Sequence, residues 1–522
     1  MQKEIVLRLL PSQAMSAELI TDHIANSEAV APTDISGFHI LKRSIDARGR
    51  QPWIMLTVRA FFNEPFQQRP RLLFLFQDVR KAAKKIVIIG AGPAGLFAAL
   101  QLIEKGIQPI LLERGKDVRA RRRDLAVLNK EGILNPDSNY CFGEGGAGTY
   151  SDGKLYTRSN KRGDINRILH LFVHFGAEEN ILYDAHPHIG TNKLPHIISA
   201  MRETIVDCGG LFLFDKKVTN FVVEGSIIKA VTTADGSSFE GDGFILATGH
   251  SARDIYRLLV HKNISVEPKP FALGVRIEHP QQLIDEIQYH NVRSTASDLL
   301  PPASYSLVTQ AQQRGVFSFC MCPGGIIAPA STSPEELVVN GWSPSKRNNP
   351  YANSGIVVSV NEKDVRAYQN HGALAALCFQ ESVERKAYAA GGGKFVAPAQ
   401  RMVDFAEQKI SSDLPHCSYL PGVSSVSLQT VLPPFVYRTL QEGLIAFGKK
   451  MKGYYTNEAI VVATESRTSS PVRIPRDKVG LNHPQFKNLY PCAEGAGYAG
   501  GIVSAAMDGE KIANIISEKF DT

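Results

Sequence analysis

Cysteine is scarce in this chain of 522 residues, which contains seven. A sparse and odd set of cysteines argues against a secreted disulfide framework and is typical of free thiols in a reducing compartment. The N-terminus also lacks the long apolar stretch and the small-residue cleavage site of a signal peptide. From these absences we predict a cytoplasmic protein.

Long hydrophobic runs and strong net charge are missing as well. Only Ile86–Ile103 resembles a membrane span, and its order of β-branched residues, glycines and helix formers indicates a strand, a turn and a helix instead. The formal net charge is +7, and no block of lysine and arginine is interleaved with aromatic residues. We therefore predict no membrane span, and nucleic acid is not an expected partner.

The order of the predicted elements divides the chain into three parts and gives an α/β fold class. Residues 1–80 form a small N-terminal α+β module with one helix and three strands. Residues 84–259 and 441–522 form a discontinuous Rossmann-like domain that binds a dinucleotide. Residues 260–440 form an inserted α+β domain that holds the substrate.

A glycine turn follows the first strand of the Rossmann-like domain. In Gly90-x-Gly92-x-x-Gly95 the first glycine permits a tight turn, the second lets the backbone approach a pyrophosphate, and the third lets the helix pack on the strand. A second strand, Pro109–Leu112, ends at Glu113, where a carboxylate accepts hydrogen bonds from ribose hydroxyls. Strand, turn, helix, strand and acid in this order predict a dinucleotide site.

Two further glycine clusters have the same spacing but a different context. Gly143–Gly148 has no apolar strand before it and is interpreted as a flexible loop. Gly495–Gly500 follows a strand and opens a helix, so it serves the first nucleotide site or none. The chain therefore has no second complete βαβ unit for a firmly docked nicotinamide, and a transient NAD(P)H encounter or a protein electron donor stays open. The basic run Arg114–Arg123 is interpreted as a solvated helix face rather than a phosphate clamp.

At this point the sequence resembles flavoproteins of the glutathione reductase and p-hydroxybenzoate hydroxylase structural class. The glycine turn with Glu113 matches their adenosine-pyrophosphate motif, and Ala247-Thr248-Gly249 matches their second nucleotide motif. Their usual Gly-Asp before the last helix stands here as Ala493-Glu494-Gly495. The resemblance implies that FAD is the cofactor, that Glu494 contacts the ribityl chain, and that the helix from Gly501 directs its N-terminus toward the flavin.

More narrowly, four segments look like a family of uncharacterised FAD-dependent dehydrogenases: Gly145–Lys154, His186–Thr191, Cys320–Gly325 and Arg467–Arg473. This resemblance implies a cofactor and a fold but no substrate. The predicted cofactor-binding residues are Gly90, Gly92, Pro93, Ala94, Gly95, Glu113, Arg114, Gly146, Ala147, Gly148, Thr149, Ser151, Asp152, Val218, Ala247, Thr248, Gly249, Glu494, Gly495, Gly501 and Ile502.

The candidate catalytic residues come from two of these segments and their neighbours. Glu465, Arg467 and Arg473 are predicted polar anchors near the flavin, where the arginines bind a carboxylate substrate or stabilise reduced flavin. The alternative is a surface loop with structural ion pairs. His188 is a candidate proton carrier because histidine titrates near neutrality, although most histidines have no such role.

The segment Cys320-Met321-Cys322 places two thiols one residue apart. On a strand both thiols would point to the same face, and a disulfide across so short a loop is sterically difficult. A thiol–flavin relay and a buried structural role are both left open. No partnering cysteine pair stands elsewhere, so we predict no metal site.

Three functions follow from these features. The first is an FAD-dependent oxidoreductase, a dehydrogenase that moves hydride between flavin N5 and a small-molecule substrate held between the nucleotide domain and residues 260–440. The second is a non-catalytic or RNA-directed flavoprotein recruited through its N-terminal module. The third is an NAD-dependent dehydrogenase with NAD at Gly90–Glu113.

Overall fold

The computed structural model describes residues 1–157, 163–290 and 299–521. It contains two main sheets, a five-stranded parallel sheet and a seven-stranded sheet that is mostly antiparallel, together with a three-stranded N-terminal sheet. None of the helices in these three ranges is long and apolar enough to cross a bilayer.

The N-terminal module has the predicted composition of one helix and three strands. The third strand lies between the other two, and the alternating pattern of the first strand buries Ile5, Leu7 and Leu9 against the helix. The 47–52 connection joins the second and third strands, which pair antiparallel as a hairpin. The elements are β1 (Gln2–Leu9), α1 (Ala17–Glu28), β2 (Ile35–Asp46) and β3 (Trp53–Phe62).

Strand β2 attaches the module to the rest of the chain. The N–H of Arg43 donates to the carbonyl of Tyr183 over 2.8 Å, and the carbonyl of Arg43 accepts from the N–H of Ala185 over 2.9 Å. The Arg43 guanidinium donates twice to the Asp184 carboxylate, over 2.6 and 2.9 Å. The module is thus held by backbone pairing and one bidentate ion pair.

The next part of the chain forms the βαβ unit and most of the parallel sheet. Its first strand precedes the glycine turn, and its second strand follows the helix that the turn opens; both strands are apolar. Ten successive residues of this helix are buried. The elements are β4 (Lys85–Ile89), α2 (Pro93–Glu104), β5 (Gln108–Leu112), α3 (Val118–Glu131), α4 (Ile165–His174), α5 (Leu194–Asp207), β6 (Leu211–Leu213), β7 (Val218–Glu224), β8 (Ile227–Thr233), β9 (Ser238–Glu240), β10 (Gly243–Leu246) and α6 (Arg253–His261).

The middle of the chain builds the seven-stranded sheet and the helices that cover it. A 3₁₀ segment, Glu362–Leu374, leads into the long helix α8. The elements are β11 (Glu267–Pro268), β12 (Phe271–Pro280), α7 (Gln281–Gln288), β13 (Val308–Ala311), β14 (Arg314–Cys322), β15 (Ile326–Pro329), β16 (Val339–Trp342), β17 (Tyr351–Val360), α8 (Ala375–Gly391), β18 (Ala397–Arg401), α9 (Met402–Ala406), β19 (Val423–Ser425) and α10 (Pro434–Lys450).

The last part of the chain returns to the parallel sheet. It contains β20 (Ile460–Glu465), β21 (Val472–Arg473), β22 (Leu489–Pro491) and α11 (Ile502–Asp521). The parallel sheet has the order β22-β10-β4-β5-β6, so strands far apart in sequence lie side by side, and α11 packs against α2. The predicted fold class, a Rossmann-like domain interrupted by an α+β insertion, is confirmed.

Strand β20 does not belong to the parallel sheet. It pairs with β12 and β18 in the seven-stranded order β13-β14-β17-β12-β20-β18-β19. The predicted boundary at residue 441 groups this strand with the nucleotide-binding segment, because buried apolar strands of the two sheets read alike in sequence. In the structure the segment that rejoins the parallel sheet is β22.

Candidate flavin site

The glycine turn between β4 and α2 tolerates no side chain at two positions. Gly90 has a φ of +105°, and a Cβ there would lie 2.5 Å from the carbonyl oxygen of Ala247. A Cβ on Gly95 would lie 2.0 Å from the carbonyl oxygen of Gly90. The turn is therefore pressed against the end of β10 on one side and against its own helix on the other.

Glu113 at the end of β5 braces this turn. Its Oε2 accepts the N–H of Ala91 over 2.9 Å, and its Oε1 accepts the N–H groups of Gly115 and Gly143, each over 2.9 Å. The side chain is buried, yet it borders the cavity described next. The predicted ribose ligand thus also holds three backbone segments together.

Two helix N-termini meet at one cavity of about 370 Å³. Gly92 and Pro93 open α2 there, and Gly501 and Ile502 open α11. The first N–H groups of a helix have no partner within it, and the helix dipole is positive at this end. Paired helix N-termini therefore suit an anionic group such as a pyrophosphate.

Most of the predicted cofactor-binding residues line this single cavity. They come from the glycine turn, the 146–152 loop, the ends of β5 and β10, and the C-terminal cluster, and are Gly90, Gly92, Pro93, Ala94, Glu113, Arg114, Gly146, Ala147, Gly148, Ser151, Asp152, Val218, Ala247, Thr248, Gly249, Glu494, Gly501 and Ile502.

Three predicted cofactor-binding residues support the cavity from behind. Gly95 lies under the glycine turn, and the buried Thr149 hydroxyl donates to the carbonyl of Glu144 over 2.7 Å. A Cβ on Gly495 would lie 2.6 Å from the carbonyl oxygen of Gly249. This close approach brings the C-terminal cluster against the end of β10.

Among the predicted catalytic residues, Arg467 borders the cavity and is fixed by a buried ion network. Its guanidinium donates to Glu384 over 3.0 and 3.2 Å and to the Thr332 hydroxyl over 2.6 Å. Arg253 donates to the same carboxylate over 2.7 and 2.8 Å. Although burial alone would raise it, Arg253 and Arg467 lower the pKa of Glu384 to about 2.

The other three predicted catalytic residues do not line the cavity. Glu465 is 1% exposed and pairs with the fully buried Arg276 over 3.0 Å. The Nε2 of His188 donates to the carbonyl of Ser345 over 3.1 Å, and His188 lines a separate cleft beside the N-terminal module. Arg473 is an exposed residue of β21.

The basic run after Glu113 is a solvated helix face only in part, because Arg119, Arg122 and Arg123 are exposed whereas Arg114 and Arg121 are not. Arg114 forms ion pairs with Asp137 and Asp254, each at 2.8 Å. Arg121 is fully buried and donates to the carbonyls of residues 139, 140 and 144 over 2.8–3.0 Å. A guanidinium can be buried here because the loop before Gly145 supplies backbone acceptors.

The far wall of the cavity comes from the seven-stranded sheet and its neighbours. Cys320 and Cys322 of β14 and Asn340 and Trp342 of β16 line it, with Lys154 beside them. The regular strand on which the prediction for the two thiols depends is interrupted, because the pairing register shifts at this point and Cys320 has a φ of +45°, yet both thiols line the same cavity. Cys320 is exposed and Cys322 is buried.

Comparison with known proteins adds three family matches. Residues 83–129 match an FAD binding domain, residues 270–468 match the C-terminal domain-like region of an FAD-dependent protein family, and residues 1–61 match a domain of unknown function. An uncharacterized protein of Clostridium beijerinckii is 39% identical over 506 residues, which are 94% of this chain and 93% of that protein.

The chain belongs to the same family as that protein. The FAD-binding match contains β4, the glycine turn, α2, β5 and Glu113. FAD is the cofactor of this chain, which is a flavin-dependent oxidoreductase. The glycine cradle and the two helix N-termini fit the pyrophosphate of this cofactor.

Two solved structures are similar to this chain at a lower level. A 2,6-dihydroxypyridine-3-hydroxylase from Arthrobacter nicotinovorans is 10% identical with a TM-score of 0.37, and covers 84% of each chain. A geranylgeranyl bacteriochlorophyll reductase-like protein from Thermoplasma acidophilum is 11% identical with a TM-score of 0.35, and covers 84% of this chain and 79% of its own.

Sequence reasoning missed several residues of the cavity wall in this family member. Lys154 is the last residue of the Gly145–Lys154 segment and Asn340 lies outside all four family segments, and neither residue belongs to a motif of known function. Arg276 stands in the middle of strand β12, and its charge suggests a side chain that faces solvent. In the structure this side chain is fully buried. The local signal was a charged residue between the apolar residues Val275 and Ile277.

Proposed function

We propose that the chain is an FAD-dependent dehydrogenase that transfers hydride between a small-molecule substrate and flavin N5. When bound, FAD supplies the two-electron redox chemistry. The observation that carries the proposal is that one cavity is lined both by the FAD motifs and by strands β14 and β16 of the second sheet. A substrate on that wall would lie in the same cavity as the cofactor.

The residues of the chain divide into those that hold the cofactor and those that face the substrate. In this proposal the N-terminus of α2 binds the pyrophosphate, Glu113 the ribose, and Glu494 the ribityl chain. The predicted domain of residues 260–440 contributes the substrate wall. The N-terminus of α11 stabilises negative charge at the flavin end of the cavity.

Polar anchoring in this proposal depends on Arg467. Its guanidinium is held by Glu384, so it keeps one orientation at the cavity edge. Glu465 acts at a distance, through the ion pair that holds Arg276 behind the wall. His188 and Arg473, which lie outside the cavity, take no part in the reaction proposed here.

The test is anaerobic reduction of the FAD-loaded protein by a panel of donors that includes NADH, NADPH, hydroxy acids, amines and saturated carboxylic acids. We expect one donor class to bleach the flavin absorption faster than it bleaches free FAD, and aerobic reoxidation to restore it. A flavin that none of these donors reduces would favour the non-catalytic alternative and overturn the dehydrogenase proposal.

A further inference from the structure

Asn340 presents the donor end of its amide to the flavin cavity. Its Oδ1 accepts the N–H of Gly341 over 2.7 Å and the Nη1 of Arg276 over 3.3 Å. Because both partners are donors, the oxygen faces them and the NH₂ group takes the other side. In the described ranges no protein group accepts from this NH₂, and the residue lines the cavity.

Arg276 keeps the Asn340 amide from turning. This fully buried guanidinium also donates to the Asn353 Oδ1 over 2.9 Å, to Glu465 over 3.0 Å and to the carbonyl of Cys320 over 2.7 Å. A flipped amide would point its NH₂ at this cation and leave a buried donor unpaired. The two N–H groups of Asn340 are therefore set toward any molecule in the cavity.

Lys154 leaves a positive charge on the same wall. Its ammonium donates to the carbonyl of Met321 and lies 3.7 Å from Asp152. Asp152 is also paired with Arg347 over 2.7 Å, so one carboxylate faces two cations. Burial and Arg347 lower the pKa of the adjacent His188, so the histidine adds no charge at neutral pH.

The rest of the wall is apolar and aromatic. Phe319, Trp342 and Tyr140 line the cavity next to the small side chains of Ala328 and Ala330. Aromatic side chains of this kind bind flat, apolar ligand bodies. The wall therefore combines an apolar surface with hydrogen-bond donors and one excess positive charge.

From this combination, and resting on the proposed function, we propose that the substrate is an apolar, ring-sized molecule with a carboxylate that accepts hydrogen bonds from Asn340 and pairs with Lys154. Asn340 is then a specificity-determining residue. Donors alone would also accept a neutral carbonyl, and the excess charge at Lys154 adds the preference for an anion.

The test measures binding without turnover. The FAD-loaded protein is titrated with benzoate, benzamide and benzylamine, which share a ring and differ in charge, while the flavin absorption spectrum is recorded. We expect benzoate to bind at least about tenfold more tightly than benzylamine, with benzamide between them, because a charge-assisted hydrogen bond exceeds a neutral one.

Two variants test whether Asn340 and Lys154 cause the preference for benzoate. Asn340→Asp keeps an oxygen for Gly341 and Arg276 but replaces the donors with an acceptor, and should weaken benzoate binding at least about tenfold. Lys154→Met should weaken benzoate and leave benzamide within about twofold. Asn166→Asp makes the same chemical change on the exposed surface of α4 and should match the wild type.

Several results would overturn the proposal. One is that benzylamine binds as tightly as benzoate or more tightly. Another is that none of the three probes changes the flavin spectrum, and a third is that both variants bind benzoate with the affinity of the wild type. A changed FAD affinity of Asn340→Asp before any probe is added would assign the amide to the cofactor instead. Because no hydride moves in these titrations, they can succeed or fail independently of the donor panel.

Discussion

The guanidinium of Arg276 and the carboxylate of Glu465 lie 3.0 Å apart, and neither side chain is more than 1% exposed. Burial raises the pKa of the Glu465 carboxyl and the cation opposes that rise. The pair lies directly behind the cavity wall, because Arg276 also donates to the carbonyl of Cys320. Its two charges therefore bear on stability as well as on the shape of the site.

We expect Glu465→Ala to lower the free energy of unfolding by about 3–5 kcal/mol, because it leaves a buried guanidinium without its counter-charge. Urea unfolding followed by circular dichroism measures this loss. Glu458→Ala, on the exposed surface shortly before β20, is the control and should change stability by less than about 0.5 kcal/mol. A loss below about 1 kcal/mol for Glu465→Ala would contradict the ion-pair assignment.

Gly95→Ala should weaken FAD binding at least about tenfold, since a methyl group 2.0 Å from the Gly90 carbonyl oxygen displaces the turn at a cost of about 1–3 kcal/mol. The measurement is the FAD content per chain and the dissociation constant of re-added FAD. Gly49→Ala, where a Cβ meets no atom within 4 Å, should retain full FAD content. Equal FAD affinity in both variants would argue against a tight turn.

Glu278→Gln should change how stability depends on pH. Burial raises the pKa of Glu278 from 4.5 to about 7 although Ser418 donates to it. The folded chain then binds a proton that the unfolded chain has lost, so stability falls as pH rises from about 4.5 to about 7. The Glu278→Gln variant lacks this loss. Between pH about 4.5 and about 7, its free energy of unfolding should therefore rise by on the order of 3 kcal/mol relative to that of the wild type. Parallel pH profiles of the two proteins would contradict the assignment.

Cys320 should react with iodoacetamide before any buried cysteine does. Its side chain is exposed to the cavity, but the protein atoms around that cavity limit its hydration and raise the pKa of the thiol to about 11. We therefore expect the alkylation rate to rise about tenfold per pH unit between 7 and 10, and bound FAD to slow it. Mass spectrometry follows the label, with the buried Cys492 as the internal control. Equal rates with and without FAD would place the cofactor elsewhere.

Local sequence was sufficient for the parts of the fold whose signals are local. The strand, glycine turn and helix of the βαβ unit lie within one apolar run, and the turn needs glycine for steric reasons that hold in any context. Strands β1 and β3 of the N-terminal module alternate in burial along most of their length, as strands do when one face is buried.

The substrate wall could not be predicted because it depends on pairing across long sequence distances. Asn340 meets Arg276 only because β16 lies beside the seven-stranded sheet, and no local pattern reports that contact. The register shift at Cys320 likewise follows from how β14 pairs with β17. His188 was predicted from residue type alone, and residue type says nothing about which of two cavities a side chain borders.

The order of strands in the parallel sheet has a consequence for biosynthesis. β22 pairs with β10 beside β4, and α11 both packs on α2 and closes the cavity. On the ribosome, the glycine turn is synthesised about four hundred residues before these last elements. We therefore expect the chain to retain FAD only after β22 and α11 have joined the earlier elements, so that deletion of α11 should abolish FAD retention.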